Sequence, residues 1–215
     1  MGRLAAAQCR ALLACLAASA IGARAVATEC VESPGRVLRA CVSGDADGVP
    51  TSSPDHLTIL PFTRMLSEPM DFTSGIFDVT FGHAQINERV QSTIATQLAE
   101  YVVLYSPIQM AADLPENYRA RPDAFRFIED VPTDWETSRT LDAVIGEYVV
   151  VARLERGGHD WYLGAITNGT ARSLDYRTNP ESLAIESRIV GRDDRLQLAL
   201  APGGGQAVRF RRLAG

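Results

Sequence analysis

Two aspartates occupy positions where acids do chemistry. Asp71 lies in PMDFTSG (69–75) and Asp113 closes SPIQMAAD (106–113). Both segments read as short strands, and the stretch between them reads as a helix, so they form a strand–helix–strand unit. In barrels built from such units the carboxyl ends of the strands carry the reactive groups. Two carboxyl groups facing one reacting bond can share general-acid and general-base or nucleophile roles. A plainer use is to accept backbone N–H groups at loop starts. Asp71 and Asp113 therefore stand as substrate-binding candidates, and no residue is assigned a catalytic role.

Other reactive constellations are sparse. Histidine occurs at His56, His83 and His159, with no G-x-S-x-G turn or P-loop to accompany it. Cys9, Cys15, Cys30 and Cys41 all precede residue 42 and show no zinc-ligand spacing. The body beyond them is expected to fold without disulfides, and no metal ligands are assigned. Asp55 before His56 reads as a helix cap. Glu116-Asn117-Tyr118 reads as a surface loop. Trp135, Trp161, Tyr148 and Tyr162 could form an aromatic platform for a ligand, but at strand spacing they fit a sheet core better. Asn168-Gly169-Thr170 matches a glycosylation triplet and reads more simply as a turn.

The bulk composition narrows the classes. A hydrophobic content of 46% suffices for a packed core, and a net charge of -5 offers no basic stripe for nucleic acid. Residues 1–27 combine Arg3 and Arg10 with the apolar run ALLACLAASAIGA and an Ala25-Val26-Ala27 cleavage pattern. That is the pattern of an export signal, too short for a transmembrane span. It predicts a periplasmic or secreted bacterial protein. Residues 28–53 carry GDADGVPTSSP and read as a linker or non-native segment with little stable structure.

The elements that must position Asp71 and Asp113 follow from periodicity. HLTILPFTRML (56–66) has helical spacing, broken at Pro61. INERVQSTIATQLAEYVVLY (86–105) is the clearest helix, with Ile86, Val90, Ile94, Leu98, Tyr101 and Val102 on one stripe. RPDAFRFIEDVP (121–132) reads as a short helix that starts near Asp123 and stops at Pro132. Beyond Trp135 the period becomes that of strands, with Gly157-Gly158 and Asn168-Gly169 as turns. LAIESRIV, RLQLALA and QAVRFRRL also alternate as strands. Tyr148 and Val150, with Trp161 and Leu163, are expected to supply one buried sheet face.

Five blocks, LPFTRMLSEPMDFTSGIFD, QLAEYVVLYSPIQMAADLPENY, VPTDWETSRTLDAVIGEYVVVAR, WYLGAITNGTAR and LAPGGGQAVRF, occur in unbroken order. Over about residues 54–213 they resemble the carboxy-terminal part of glycoside hydrolase family 97. The resemblance implies an α+β fragment. Residues 54–132 would be the last βα segments of a (β/α)8 barrel, and residues 133–215 an antiparallel β-sandwich domain. It also implies kinship with calcium-dependent, exo-acting bacterial α-glucosidases and α-galactosidases. In that family the catalytic acid, the base or nucleophile, and the calcium-binding carboxylates precede the PFTR motif. Their contexts, His-Glu before a Pro-Thr-Gly turn and Glu-Gly-x-x-Gly-x-Glu, do not occur here, so no such residue is carried over. Glu68 stands where the family usually has glycine, and about one strand pair is missing between Arg172-Ser173-Leu174 and Asn179-Pro180.

The resulting expectation is a truncated glycoside hydrolase that is inactive as this chain alone. Its intact relative would take an α-linked oligosaccharide and calcium, whereas this chain would bind no cofactor. Self-association through the β domain is the expected protein contact. The alternatives are an exported, non-catalytic protein that uses the β domain for assembly or carbohydrate binding, and a relic with no stable product.

Overall fold

Turn residues and capping side chains divide the chain into short elements. A computed structural model describes residues 28–32, 39–43, 52–81, 89–170 and 180–213. The chain forms two units, Met1–Ala46 and Asp47–Gly215. In the first, β1 (Thr28–Glu32) pairs antiparallel with β2 (Arg39–Ser43). This ladder lies in the stretch expected to be a linker. The cue was TECVE and RACVS, two short β-branched runs on either side of a Ser-Pro-Gly. The expected export signal, residues 1–27, lies outside the described residues.

The second unit opens with α1 (Pro54–Leu57). Its cap is Ser53, whose Oγ accepts from the His56 N–H at 3.3 Å, while Asp55 sits in the first turn. The helix expected through residue 66 instead becomes two 3-10 turns, Leu60–Phe62 and Arg64–Leu66, because Pro61 cannot donate to the ladder.

The central helix α2 spans Ile94–Val103. It is shorter than the periodicity suggested because the Thr93 side chain accepts from the Thr96 N–H and fixes the start. Residues 82–88 of the expected helix lie outside the described residues. Every residue of α2 except Ala95 is buried, so it serves as the core of its unit rather than as a one-sided surface helix. Two helices follow. Pro115 opens α3 (Pro115–Ala120), which includes the supposed Glu116-Asn117-Tyr118 loop, and Pro122 opens α4 (Pro122–Asp130).

Strands β3 (Trp135–Val144), β4 (Tyr148–Glu155), β5 (Trp161–Thr167) and β6 (Gly205–Phe210) form one antiparallel sheet in the order β3-β4-β5-β6. Val149, Val151 and Ile166 face α2, where they meet Ala99 and Val103. The backbones approach closely at Gly164, where an added Cβ would stand 2.7 Å from the Ala99 carbonyl oxygen. Val150, Leu163 and Ala165 line the other face together with Tyr148, and Leu198 and Leu200 lie against them.

The described residues of the second unit thus build one sheet between a helix and an extended segment, rather than two facing sheets. LAIESRIV and RLQLALA carry the strand pattern but form no strand. Ile185, Ile189 and Val190 within them are exposed. A strand needs a partner's edge as well as alternation, and residues 171–179, just upstream, lie outside the described residues. The two barrel-like segments run parallel but pair at a single bridge, Ser74 with Ala111. A parallel pair gains stability from flanking strands and covered faces, and here side chains of the helices, Tyr101, Tyr118 and Ile128, lie against it.

Candidate functional site

Asp113 belongs to a cluster that pins the loop from Ser74 to Asp78. Its Oδ2 accepts from the N–H groups of Phe77 and Asp78 at 2.7 and 2.8 Å. Its Oδ1 accepts from the Leu114 N–H at 2.7 Å and the Asn117 side-chain amide at 2.6 Å. Partial burial pushes the carboxyl upward, but these four donors outweigh it and hold the group below the usual carboxylate range.

Three further side chains fasten the same loop. Gln97 on α2 accepts through Oε1 from the N–H groups of Gly75 and Ile76, at 2.9 and 3.0 Å. Its amide donates to Ser92 Oγ at 2.9 Å, so the buried Gln97 amide has partners on both its oxygen and its nitrogen. The Tyr118 hydroxyl on α3 donates to the Gly75 carbonyl and accepts from the Asp113 N–H, both at 2.9 Å. The Tyr101 hydroxyl lies 3.1 Å from the Ser74 carbonyl oxygen and 2.8 Å from that of Met110, so it joins the two parallel segments. Burial raises the ionisation of both tyrosines, which therefore stay neutral donors.

Gly75 completes the cluster. Its φ is +94°, and a Cβ there would collide with the Tyr101 hydroxyl. Glycine meets both conditions at once.

Asp71 stands apart. It is exposed and precedes the Ser74–Ala111 bridge by three residues, whereas Asp113 follows the bridge by two. At the rise of an extended chain this offset corresponds to about 17 Å. That exceeds either spacing used by a glycosidase carboxylate pair. The structure therefore does not bring the two candidates together.

The aromatic candidates also separate. Trp135 and Tyr162 are buried and meet edge to face at 5.6 Å. Trp161 points to the opposite sheet face from its neighbour Tyr162 and lies under Arg139 at 5.9 Å. The Tyr148 hydroxyl donates to Asp142 at 3.2 Å. Asn168 is buried, donates to the Gly146 carbonyl and accepts from the Thr170 N–H, as a turn residue does.

Among the described residues, the calcium expected of the intact family finds no fitting donor set. No group of three or more His, Cys, Asp or Glu side chains gathers among the described residues. The best-placed carboxylate, Asp113, already takes its donors from the chain. No helix among the described residues is long and apolar enough to cross a membrane.

Comparison with known proteins places this geometry. Residues 134–179 match a family profile described as glycosyl-hydrolase 97 C-terminal, oligomerisation. The chain is 34% identical to the retaining alpha-galactosidase of Bacteroides thetaiotaomicron, over 71% of this chain and 27% of that protein. It is 33% identical to a probable retaining alpha-galactosidase of Streptomyces bingchenggensis, over 78% of this chain and 27% of that protein. Among solved structures it resembles a glycoside hydrolase family 97 enzyme from Pseudoalteromonas sp., seen in complex with panose and with acarbose. There the identity is 48% and the TM-score 0.72, over 76% of this chain and 29% of that one. The chain thus spans about a quarter of the length of the relatives it matches.

Proposed function

We propose, for a chain that carries the carboxy-terminal region of glycoside hydrolase family 97, that it serves an α-glycosidase as scaffold rather than as chemistry. The observation that carries this reading is the state of Asp113. Four donors from its own chain occupy its two oxygens, so the carboxylate holds the Ser74–Asp78 loop in place. In the intact relative, the end of the last parallel strands would be shaped by this clamp. The carboxylates that attack and protonate an α-linked oligosaccharide, and any bound calcium, would come from the preceding barrel segments.

The chain alone is accordingly inactive. Purified protein is expected to release no chromophore from aryl α-glucosides or aryl α-galactosides, with or without added calcium. Turnover that disappears on adding chelator would overturn this reading.

Self-association is a second role, favoured by the description of the profile matched by residues 134–179. Sedimentation of the purified protein should show a concentration-dependent dimer or larger species. A monomer at every concentration would remove this role. Export to the periplasm or medium accords with the amino-terminal pattern and would be tested by fractionating cells that express the full chain.

A further inference from the structure

The first unit holds a pair of residues that the hydrolase scaffold does not use. β1 and β2 pair over five positions, and Cys30 stands opposite Cys41 at the middle one. Glu29 with Val42 and Thr28 with Ser43 fix the register on one side. Val31 with Ala40 and Glu32 with Arg39 fix it on the other. A slip of one residue would set Cys30 against Ala40 or Val42, so the observed register is specific to the cysteines.

Directly opposed residues in an antiparallel ladder have Cα atoms about 4.5 Å apart at non-hydrogen-bonded pairs and about 5.5 Å at hydrogen-bonded ones. Both lie within the roughly 4.4–6.8 Å that a disulfide spans. Either type of pair therefore meets the Cα spacing that a disulfide needs. A two-stranded ribbon is only marginally stable in water unless something else holds it. A covalent tie across its centre would supply that support.

We propose that Cys30 and Cys41 form an intramolecular disulfide when the protein meets a disulfide oxidant. The two thiols together give up two protons and two electrons, and one S–S bond forms between them. The S–S bond of the oxidant, a low-molecular-weight or protein disulfide, breaks, and its two sulfurs leave as thiols carrying those protons. All four cysteines precede residue 42, so the bond belongs to the first unit alone.

The sequence makes the test direct. Trypsin cleavage at arginine places Cys9, Cys15, Cys30 and Cys41 on four separate peptides, 4–10, 11–24, 25–36 and 40–64. The full chain is equilibrated with glutathione disulfide, its remaining thiols are alkylated, and the digest is analysed by mass. The expected product is peptide 25–36 joined to peptide 40–64, separating on reduction, from protein that runs as a monomer on a non-reducing gel. In Cys30→Ser protein, Cys41 should be recovered alkylated or as its glutathione adduct and joined to no other peptide of the chain, and the denaturation midpoint of the Asp47–Gly215 unit should not move. Alkylation of both Cys30 and Cys41 in the wild-type chain would overturn the proposal. So would their linkage to Cys9, Cys15 or glutathione instead, or a disulfide-linked dimer.

Discussion

The guanidinium of Arg153 closes the carboxy-terminal end of α2, its Nε donating to the Val102 carbonyl oxygen at 2.6 Å. A second nitrogen reaches the Val103 carbonyl, a third reaches Ser138 Oγ, and the Tyr105 ring lies 4.2 Å from the guanidinium carbon. The last carbonyls of a helix lack intrahelical partners and carry partial negative charge, so a cation there satisfies both. Burial lowers the ionisation of Arg153 to about 10, which leaves it charged at neutral pH.

Replacing that cation tests how much the helix-to-sheet joint depends on it. Arg153→Met keeps an apolar stem but strips the donors from two buried carbonyls. The expected loss is about 3 kcal/mol of unfolding free energy, read by urea denaturation. A change under about 0.5 kcal/mol would show that water replaces the guanidinium.

Glu100 poses the opposite case. It lies fully buried on α2, and neither carboxylate oxygen meets a hydrogen-bond donor. Burial pushes its ionisation from 4.5 up to about 8. Between those values the folded state holds a proton that the unfolded chain has released, so stability falls as pH rises through that window and is level on either side. Glu100→Met should remove this slope and stabilise the protein by about 3 kcal/mol near pH 7. Glu100→Gln should flatten the slope with a smaller gain, because a buried amide still lacks partners. Denaturation midpoints at pH 5, 7 and 9 distinguish the two variants, and an unchanged wild-type midpoint across that range would refute the account.

Asp113→Ala should leave the N–H groups of Phe77 and Asp78 without acceptors. Each unpaired buried donor costs about 1–3 kcal/mol. Asp113→Asn should recover part of that loss, since its amide oxygen can still accept. The lowered carboxyl ionisation contributes stability that is present above the unfolded value of about 3.9 and is lost as pH falls toward the folded one. Acid titration of the wild type and Asp113→Asn should therefore diverge above pH 4 and converge in stronger acid.

Gly164→Ala tests the helix–sheet contact. The added methyl group would meet the Ala99 carbonyl oxygen at 2.7 Å and the Val102 Cβ at 2.8 Å. Neither can swing away as the tip of a long side chain could. A loss of about 2 kcal/mol is expected, measured by thermal unfolding.

Much of this arrangement was legible in the order of residues. Proline and the Gly157-Gly158 turn marked α4 and the β4–β5 hairpin, because both act on the local backbone. Of Tyr148, Val150, Trp161 and Leu163, expected on one buried face, Val150 and Leu163 are buried there while Tyr148 and Trp161 are half-buried. The loop clamp was not legible. Gln97 and Tyr118 look like ordinary helix residues, and their task follows from backbone groups some twenty and forty positions away. The strand pattern of LAIESRIV misled for a related reason, since alternation records a face and says nothing about a neighbouring edge. Asp71 and Asp113 looked equivalent as acids near strand ends. The parallel register separates them, and register between distant segments cannot be read from spacing alone.

The burial of α2 on nearly every side has a practical corollary. One flank holds the Ser74–Asp78 loop through Gln97 and Tyr101, and another rests on β5 at Gly164. A cloning boundary at residue 133, attractive from composition, would leave the downstream product with a naked sheet and the upstream product with a greasy, unshielded rod. Anyone dissecting this protein for expression should keep Asp47–Gly215 in a single insert.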